Sequence, residues 1–278
     1  MTAWRRGWVQ LGSTVLANSG LFPALKCLTY PFLNCYSCPL AIGACPVGTI
    51  QHFVIIRRVP LLVIGILGLV GSIWGRMSCA WLCPFGYIQD LLHRLPWPAR
   101  KVSVNTRRYG WVKYVVSVVL FLVIPFVTLA PWFCKLCPAG TLEAGLPWLA
   151  ISPPLRGLIG PFFWLKIVLL ILFVLASMAL SRPFCRFACP LGAAYGLSNR
   201  WSRVRIEVDG RRCDACGRCA KTCPMGLRPY TDANSSDCIR CEECVRGCEH
   251  LKVVWPALRR SREPRAEDTA TIGPIGCR

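Results

Sequence analysis

The stretch 213–248 contains two copies of one cysteine pattern. In each copy three cysteines stand two residues apart, and a fourth follows after three more residues. Three thiolates at that spacing turn toward a common centre and can hold an iron–sulfur cube, while the other copy supplies the fourth ligand. The pattern predicts two [4Fe–4S] clusters, cluster 1 on Cys213, Cys216, Cys219 and Cys248, and cluster 2 on Cys238, Cys241, Cys244 and Cys223.

A pair of zinc sites is the alternative interpretation, because Cys-x2-Cys pairs also bind zinc. Zinc needs two such pairs per ion, so the third evenly spaced cysteine of each copy would have no role. This favours iron as the metal and the transfer of single electrons as the chemistry. Thiolate-bound clusters also need reducing surroundings, so most of the 19 cysteines should face the cytoplasm or the membrane interior.

The remainder of the chain has the composition of a membrane protein. Of its 278 residues only 17% are charged, whereas soluble proteins carry about 25%. The candidate transmembrane helices are the apolar stretches 7–25, 59–75, 114–133 and 157–181. Polar residues dilute the first stretch, and a cleaved signal peptide is its alternative interpretation. No clear cleavage motif follows it, which favours an uncleaved helix.

The net charge of +20 is concentrated in two connections. Lysine and arginine are frequent in 76–113 and 182–212, whereas 131–157 contains only Lys135 and Arg156. This asymmetry follows the positive-inside rule and predicts a multi-pass protein of the cytoplasmic membrane, with the N-terminus and the ferredoxin domain in the cytoplasm. No nucleic-acid-binding motif accompanies the charge, so we expect no nucleic-acid partner.

Cysteine motifs also repeat in the membrane part. Cys79-x3-Cys83-Pro matches Cys185-x3-Cys189-Pro, and both follow an apolar stretch on the basic side. On the opposite side, Cys134-x2-Cys137-Pro matches both Cys35-x2-Cys38-Pro and the Cys-Pro step at Cys45, so the register of the repeat is ambiguous there.

These patterns predict an α-helical membrane protein of about four transmembrane helices in two pseudo-repeats, followed by a small C-terminal α+β ferredoxin domain with two [4Fe–4S] clusters. The membrane domain would cover 1–200, with repeats of about 1–110 and 111–200. The ferredoxin domain would cover 201–255, and a disordered tail 256–278. The apolar segment 27–56, which glycine and proline interrupt, is expected to be partly re-entrant.

Topology sorts the remaining cysteines into two candidate sites for one or two further iron–sulfur clusters. The inner-face candidates are Cys79, Cys83, Cys185 and Cys189, and the outer-face candidates are Cys35, Cys38, Cys134 and Cys137, with Cys45 as a fifth. Cysteines simply buried between helices are one alternative, since the residue is small and apolar. A Cys35–Cys38 disulfide is another at the outer face, where the compartment can be oxidising.

The histidines do not favour haem. The chain has no Cys-x2-Cys-His motif, and His52 and His93 are predicted on opposite faces of the membrane, so we expect no haem. His93, Gln89 and Asp90 lie on a short stretch that could form an interfacial helix and exchange protons with a quinone. The solvated face of such a helix is the favoured interpretation.

Two Cys-x3-Cys-Pro motifs after membrane spans, joined to the double-cluster pattern at 213–248, resemble the NapH/NosR-type membrane polyferredoxins. The resemblance covers nearly all of residues 5–255. It implies four spans, cytoplasmic clusters, and electron passage between the quinone pool or cytoplasmic donors and a partner outside. Glu249, rather than proline, follows Cys248, a minor departure from the pattern.

We therefore expect an iron–sulfur electron-transfer subunit of an oxidoreductase system, with a quinol dehydrogenase-like role as one form of it. It would have no catalytic residues of its own. Its partners would be the membrane, a redox partner protein or complex, and a quinone. Two alternatives stay open: a copper reductase or cofactor-maturation factor that captures metal on the outer thiols, and a membrane redox sensor.

Overall fold

The computed structural model describes residues 3–21, 23–96, 109–210 and 212–255, and these are mostly helical with one small sheet. The predicted tail 256–278, including Cys277, lies outside the described residues. The longer helices are α1 (Ala3–Ala17), α2 (Pro46–Ile55), α3 (Leu61–Trp74), α5 (Pro84–Arg94), α6 (Val112–Thr128), α8 (138–151), α9 (Pro161–Ala179) and α11 (Pro190–Ser198). The short ones are α4 (Met77–Trp81), α7 (Trp132–Leu136), α10 (Pro183–Phe187), α12 (Arg218–Thr222) and α13 (Glu243–Arg246).

Helix α9 is the one helix of the described residues that is long and apolar enough to cross a bilayer by length and composition. Its 19 residues rise about 28 Å, close to the roughly 30 Å of a hydrocarbon core. Trp164, Val168 and Leu172 on this helix are 62%, 52% and 56% exposed, unlike residues of a soluble core helix. Helices α3 and α6 are shorter and also apolar. This exposed apolar surface indicates membrane association.

Helix α1 packs against α4 and α5. The Arg6 guanidinium donates to the Asp90 carboxylate at 2.7 Å and lies 3.4 Å from the Glu243 carboxylate in the C-terminal arm. Ser13 donates to the carbonyl of Leu82 at 2.8 Å. These contacts tie the first apolar stretch to two other parts of the chain and give α1 a structural role.

A Cys-Pro step begins four of the helices. Cys45, Cys83, Cys137 and Cys189 stand directly before the first prolines of α2, α5, α8 and α11, with ψ between 114° and 123°. Proline drives the preceding residue into extended backbone, and its own fixed φ suits the first position of a helix. Each of these four cysteines is therefore placed by the same local geometry.

The C-terminal arm, residues 201–255, contains a two-stranded antiparallel sheet and two short helices. Strand β1 (Arg205–Val208) pairs with β2 (Leu251–Val254) in the register Arg205↔Val254 to Val208↔Leu251. Helices α12 and α13 pack together and contain the buried Cys219 and Cys244. The prediction of a small C-terminal sheet region rich in cysteine is confirmed.

Buried polar contacts hold the arm against the helical part. Asn199 donates to the carbonyls of Ser235 and Cys238 at 2.9 and 2.7 Å. Arg240 donates to the carbonyls of Trp74 and Asn199 at 3.0 and 2.8 Å. Because these bonds link the ends of α3 and α11 to the cysteine loop of the arm, the arm has a fixed position beneath the helices.

Asp90 supplies the carboxylate for two buried arginines. Arg182 donates to it through Nε and Nη2 at 2.7 and 2.6 Å, and Arg6 through Nη2. Burial raises the pKa of Asp90, but the Arg182 guanidinium and Arg6 more than offset this and hold the pKa below its ordinary value. The stabilisation is therefore complete above the ordinary carboxyl range and is lost as pH falls through the lowered pKa.

We predict that Asp90→Asn destabilises the protein by about 3–5 kcal/mol, because it leaves two buried guanidinium groups without their carboxylate. Asp209→Asn is the control: its carboxylate is 46% exposed and 3.8 Å from Arg212, so the change should cost about 0–1 kcal/mol. Thermal unfolding of the detergent-solubilised protein, followed by circular dichroism, measures both. Equal melting temperatures for the two variants would contradict the prediction.

Candidate iron–sulfur sites

The structure brings the four predicted inner-face cysteines together. We call Cys79, Cys83, Cys185 and Cys189 the inner group; all four are buried. The thiols of Cys83 and Cys189 each interact electrostatically with those of Cys79 and Cys185. Four thiols that converge from two repeats provide the number of ligands that one [4Fe–4S] cluster needs.

The two halves of the inner group have matching geometry. The N–H of Gly86 donates to Cys83 Sγ at 3.4 Å, and the N–H of Gly192 donates to Cys189 Sγ at the same distance. A Cβ on Gly86 would stand 2.9 Å from the carbonyl oxygen of Cys79. The glycine three residues after Cys83 and after Cys189 therefore allows close backbone packing, and its N–H donates to the sulfur of that cysteine.

Two arginines link the repeats crosswise. Arg76 donates to the carbonyl of Cys185 at 3.0 Å, and Arg182 donates to the carbonyl of Cys79 at 2.8 Å. Each arginine stands three residues before the first cysteine of its own repeat and holds the first cysteine of the other. Sequence reasoning counted both only as basic residues, although the shared Arg-x2-Cys spacing could have identified them.

At the opposite end, Cys35, Cys45, Cys134 and Cys137 line a cavity of about 390 Å³. We call these four the outer group. The thiol of Cys45 interacts electrostatically with those of Cys35, Cys134 and Cys137. Cys38 is buried but does not line the cavity, and its N–H donates to the carbonyl of Cys35 at 3.1 Å. Cys35 and Cys38 are free thiols in this structure.

The outer group also shows the register of the repeat. A Cβ on Gly48, three residues after Cys45, would lie 3.7 Å from Cys134 Sγ. A Cβ on Gly140, three residues after Cys137, would lie 3.7 Å from Cys35 Sγ. Cys45 therefore corresponds to Cys137, and Cys35 to Cys134, which resolves the ambiguity of the sequence pattern.

The inner and outer groups lie close to each other. Cys83 Sγ is 3.7 Å from the carbonyl oxygen of the buried Leu33, and Cys35 of the outer group follows two residues later. Two residues of extended chain cover at most about 7 Å. The rings of Phe133 and Phe184, next in sequence to Cys134 and Cys185, have centroids 6.2 Å apart. The segment before Cys35 thus enters the protein interior.

The structure brings cysteines of the arm close to one another. Cys244 interacts electrostatically with the three other candidates for cluster 2, Cys241, Cys238 and Cys223. Cys219 interacts in the same way with Cys248 and Cys213, while Cys216 is exposed. An interaction between Cys219 and Cys244 places the two sets side by side.

Thiols in the cluster 2 set resist ionisation. Burial raises the pKa of Cys238 to about 11 and that of Cys241 to about 12, although nearby arginines oppose the shift. Both are therefore protonated at neutral pH when no metal is bound. Iron binding would displace these protons, since the thiolate is the ligand.

Six basic side chains around the inner group and the arm are buried: Arg6, Arg76, Lys113, Arg182, Arg186 and Arg240. The acids near them are Asp237, Asp90 and Glu243. Arg186 interacts electrostatically with both Cys223 and Cys185, and Arg182 with both Cys185 and Cys241. Desolvation lowers the pKa of Arg186 to about 10.

Such an excess of buried positive charge is costly unless an anion compensates it. A [4Fe–4S] cluster on four thiolates is an anion, because the thiolates outweigh the charge of the core. Two such clusters, one on the inner group and one on the cluster 2 set, fit these surroundings. The residues present therefore suit the cofactor that the cysteine pattern implies.

Gln89 and Asp90 do not form a solvated helix face, so that prediction is wrong. Gln89 is fully buried, and its Nε2 donates to Cys185 Sγ at 3.3 Å while its Oε1 accepts from the N–H of Phe184 at 3.2 Å. Asp90 is held by Arg6 and Arg182. Both side chains point into the inner group because α5 packs between α1 and α9.

Within the described ranges, no group of three or more His, Cys, Asp or Glu side chains is arranged to hold a single metal ion.

Comparison with known proteins agrees with this chemistry. Three segments, 58–105, 113–153 and 161–208, match the family described as 4Fe-4S binding domain. They contain, in order, Cys79 and Cys83, then Cys134 and Cys137, then Cys185 and Cys189. No solved structure matches the chain significantly.

Three relatives illustrate the similarity. An uncharacterized protein of Methanocaldococcus jannaschii is 28% identical over 77% of this chain and 79% of its own length. The regulatory protein NosR of Pseudomonas aeruginosa is 29% identical over 70% of this chain and 27% of its own length. The ferredoxin-type protein NapH of Haemophilus influenzae is 26% identical over 62% of this chain and 59% of its own length.

The cysteine geometry and the matched segments together define an iron–sulfur, ferredoxin-type electron transport protein with 4Fe-4S binding domains. Within that class, the chain is a distant homologue of the regulatory protein NosR and of the ferredoxin-type protein NapH.

We predict that Gly86→Ala removes about four irons per chain, because the added Cβ would clash with the carbonyl of Cys79 and displace the inner group. The strain should also cost about 1–3 kcal/mol of stability. Gly68→Ala in α3 is the matched control, since a Cβ there meets nothing within 4 Å. Iron and acid-labile sulfide analysis of anaerobically purified protein measures the effect, and unchanged iron in Gly86→Ala would refute it.

Proposed function

We propose that this protein conducts single electrons across the cytoplasmic membrane through four [4Fe–4S] clusters. The outer group and the inner group each hold one cluster in the membrane domain. Cluster 2 lies on Cys223, Cys238, Cys241 and Cys244, and cluster 1 on Cys213, Cys216, Cys219 and Cys248. When bound, the clusters supply the redox chemistry, and the chain positions them and surrounds them with compensating charge.

The continuity of the four cysteine sets carries this proposal. Leu33 and the Phe133–Phe184 pair connect the outer group to the inner group. Arg186 and Arg182 each interact with cysteines of the inner group and of the cluster 2 set. Cys219 and Cys244 bring the two arm sets together. No step in this path needs to cross the roughly 30 Å apolar slab at once.

Trp81 is the packing contact between the inner group and the arm. It stands midway between Cys79 and Cys83 in sequence, and its Nε1–H donates to the carbonyl of Arg240 at 3.2 Å. The buried cluster that contains Trp81 also packs against Cys223, Cys238 and Cys241. The indole ring therefore fills the space between two proposed clusters.

Four helices support the proposed four-span topology. Arg6 of α1 contacts the inner end at Asp90, while Asn18, just beyond α1, donates to Asn34 beside Cys35 at 3.1 Å. Helix α9 has Phe163 and Lys166 at the outer cavity, and Arg182 follows its other end at the inner group. Helices α3 and α6 also lead from one cysteine group to the other. The shorter ones can serve as spans because re-entrant chain fills the outer side.

The two ends of the path differ in what they can meet. At the arm, the exposed Cys216 brings cluster 1 to the surface, where a soluble redox protein can dock. At the other end, Phe133, Trp148 and Phe163 make the outer cavity largely apolar, which suits a quinone or an apolar partner surface. The copper-handling alternative would need thiols gathered around one ion, and no observation favours it.

We predict that Cys45→Ser removes about four of roughly 16 irons per chain and that Cys79→Ser removes four others. Cys38→Ser is the matched control, because this buried thiol lies outside the cavity lining and should leave the iron content unchanged. Iron and sulfide are measured on anaerobically purified protein. Eight irons in the wild type, unaffected by either substitution, would mean that clusters occupy the arm alone and would refute the transmembrane path.

We predict that Trp81→Leu slows electron exchange between the inner cluster and the arm clusters, because the packed ring between them is lost. Phe187→Leu is the control, since Phe187 occupies the equivalent position of the second repeat but lies outside the Trp81 cluster. Rapid freeze-quench EPR after mixing with a reductant resolves the order of reduction. Identical time courses for the two variants, with wild-type iron content, would contradict a bridging role.

A further inference from the structure

A polar residue follows four of the five Cys-Pro steps of the membrane domain at one fixed distance; the step at Cys38 does not share the pattern. Each of the four has the form Cys-Pro-x-Gly, and the sixth residue after the cysteine is Gln51, Gln89, Glu143 or Tyr195. Six residues after the start of a helix place this side chain nearly two turns in, on the side that faces the core. All four lie in apolar helices where a polar residue needs a specific partner.

Three of these side chains reach the other repeat at the same point. Gln51 Oε1 accepts from the N–H of Cys134 at 3.1 Å, and Glu143 Oε2 accepts from the N–H of Cys35 at 2.6 Å. Gln89 Oε1 accepts from the N–H of Phe184, the residue before Cys185, at 3.2 Å. In each case, a side chain on the Cys-Pro helix of one repeat thus fixes the backbone at or next to the first cysteine of the other repeat.

Tyr195, the fourth residue at this position, donates a hydrogen bond instead of accepting one. Its hydroxyl donates to the carbonyl of Pro31 at 2.9 Å, and its ring is near enough to Cys79 and Cys83 to interact with them electrostatically. It therefore also crosses to the first repeat. Its bond is to the re-entrant segment rather than to the N–H of a cysteine.

Gln89 is the member of this set that also contacts a ligand sulfur. Its Nε2–H donates to Cys185 Sγ at 3.3 Å, and the side chain is fully buried. The corresponding free atoms at the outer group, Gln51 Nε2 and Glu143 Oε1, are buried and have no hydrogen-bond partner among the described residues. A donor to a ligand sulfur stabilises the extra negative charge of a reduced cluster, so it raises the potential.

We infer that Gln89 is a positioning residue that holds Cys185 from the opposite repeat and raises the midpoint potential of the inner cluster. Gln51 and Glu143 hold Cys134 and Cys35 in the same crosswise manner, without a donor to the sulfur. The inference rests on the proposed inner cluster and adds a cause for its potential. The two proposed membrane clusters would then have different hydrogen-bond donors around them, although the same motif positions their cysteines.

EPR-monitored redox titration of the anaerobically purified full-length protein tests this inference. The inner-cluster signal is identified as the one that Cys79→Ser removes. Gln89→Leu deletes the donor, and Gln89→Glu is nearly isosteric and keeps an oxygen for the N–H of Phe184 while it replaces the amide donor. Both substitutions should shift the inner-cluster midpoint to lower potential and leave the other signals in place.

Gln51→Leu is the matched control, because Gln51 is equally buried, occupies the same position of its motif, and reaches Cys134 instead of Cys185. It should leave the inner-cluster midpoint unchanged. Iron content, measured on the same samples, separates a shift in potential from loss of the cluster. If Gln89→Leu loses iron, Gln89→Glu still provides the measurement, since it preserves size and the backbone contact.

The results of these titrations separate the role of Gln89 from the existence of the inner cluster, on which that role depends. An inner-cluster midpoint that stays the same in Gln89→Glu, or a shift of all signals together, would overturn the role of Gln89 alone. A wild-type protein in which Cys79→Ser removes neither iron nor an EPR signal would overturn the inner cluster and the inference with it.

Discussion

The structure depends on the balance between buried arginines and the anions that must accompany them. Arg76 and Arg182 each cross from one repeat to the other, and Arg186 and Arg240 connect the helices to the arm. Their charges are buried among few acids, so the fold is stable only where negative charge is present as well. The proposed clusters on the inner group and on the cluster 2 set would supply that charge where the repeats and the arm meet. The cofactors would in this sense be structural as well as functional.

The Cys-Pro step explains how a short motif can build two sites of different character. Proline fixes the backbone of the preceding cysteine and starts a helix. The glycine allows the other repeat to pack closely, and the side chain of the sixth residue after the cysteine contacts that repeat. The inner group combines this frame with arginines and a donor from Gln89. The outer group uses the same frame beside a cavity, with Gln51 and Glu143 in the crossing positions. The same motif thus positions the eight cysteine thiols of the inner and outer groups. The residues between its fixed positions determine what surrounds each group.

Much of this arrangement could be predicted from the sequence, because cysteine spacing and apolar length are local properties. The cysteine motifs of the arm, the two Cys-x3-Cys pairs and the approximate helices follow from patterns within short stretches of the chain. The choice between Cys38 and Cys45 could not be made in this way, since it depends on which thiol the re-entrant segment turns toward the cavity. Gln89 and Asp90 were misassigned for a related reason. Their polarity suggests solvent, but their partners Cys185 and Arg182 are more than 90 residues away and meet them only through tertiary packing.

The crossed construction of the inner group has a consequence for biogenesis. Its candidate ligands come from two halves separated by about a hundred residues, and its charge partners include the arm, which follows both halves in the sequence. Metal insertion coupled to folding would therefore need both halves and the arm. Without the metal, arginines that lack their anions would oppose the closing of the halves and the arm. Iron supply would thus act as a checkpoint, so that chains without metal remain open to proteolysis while loaded chains persist.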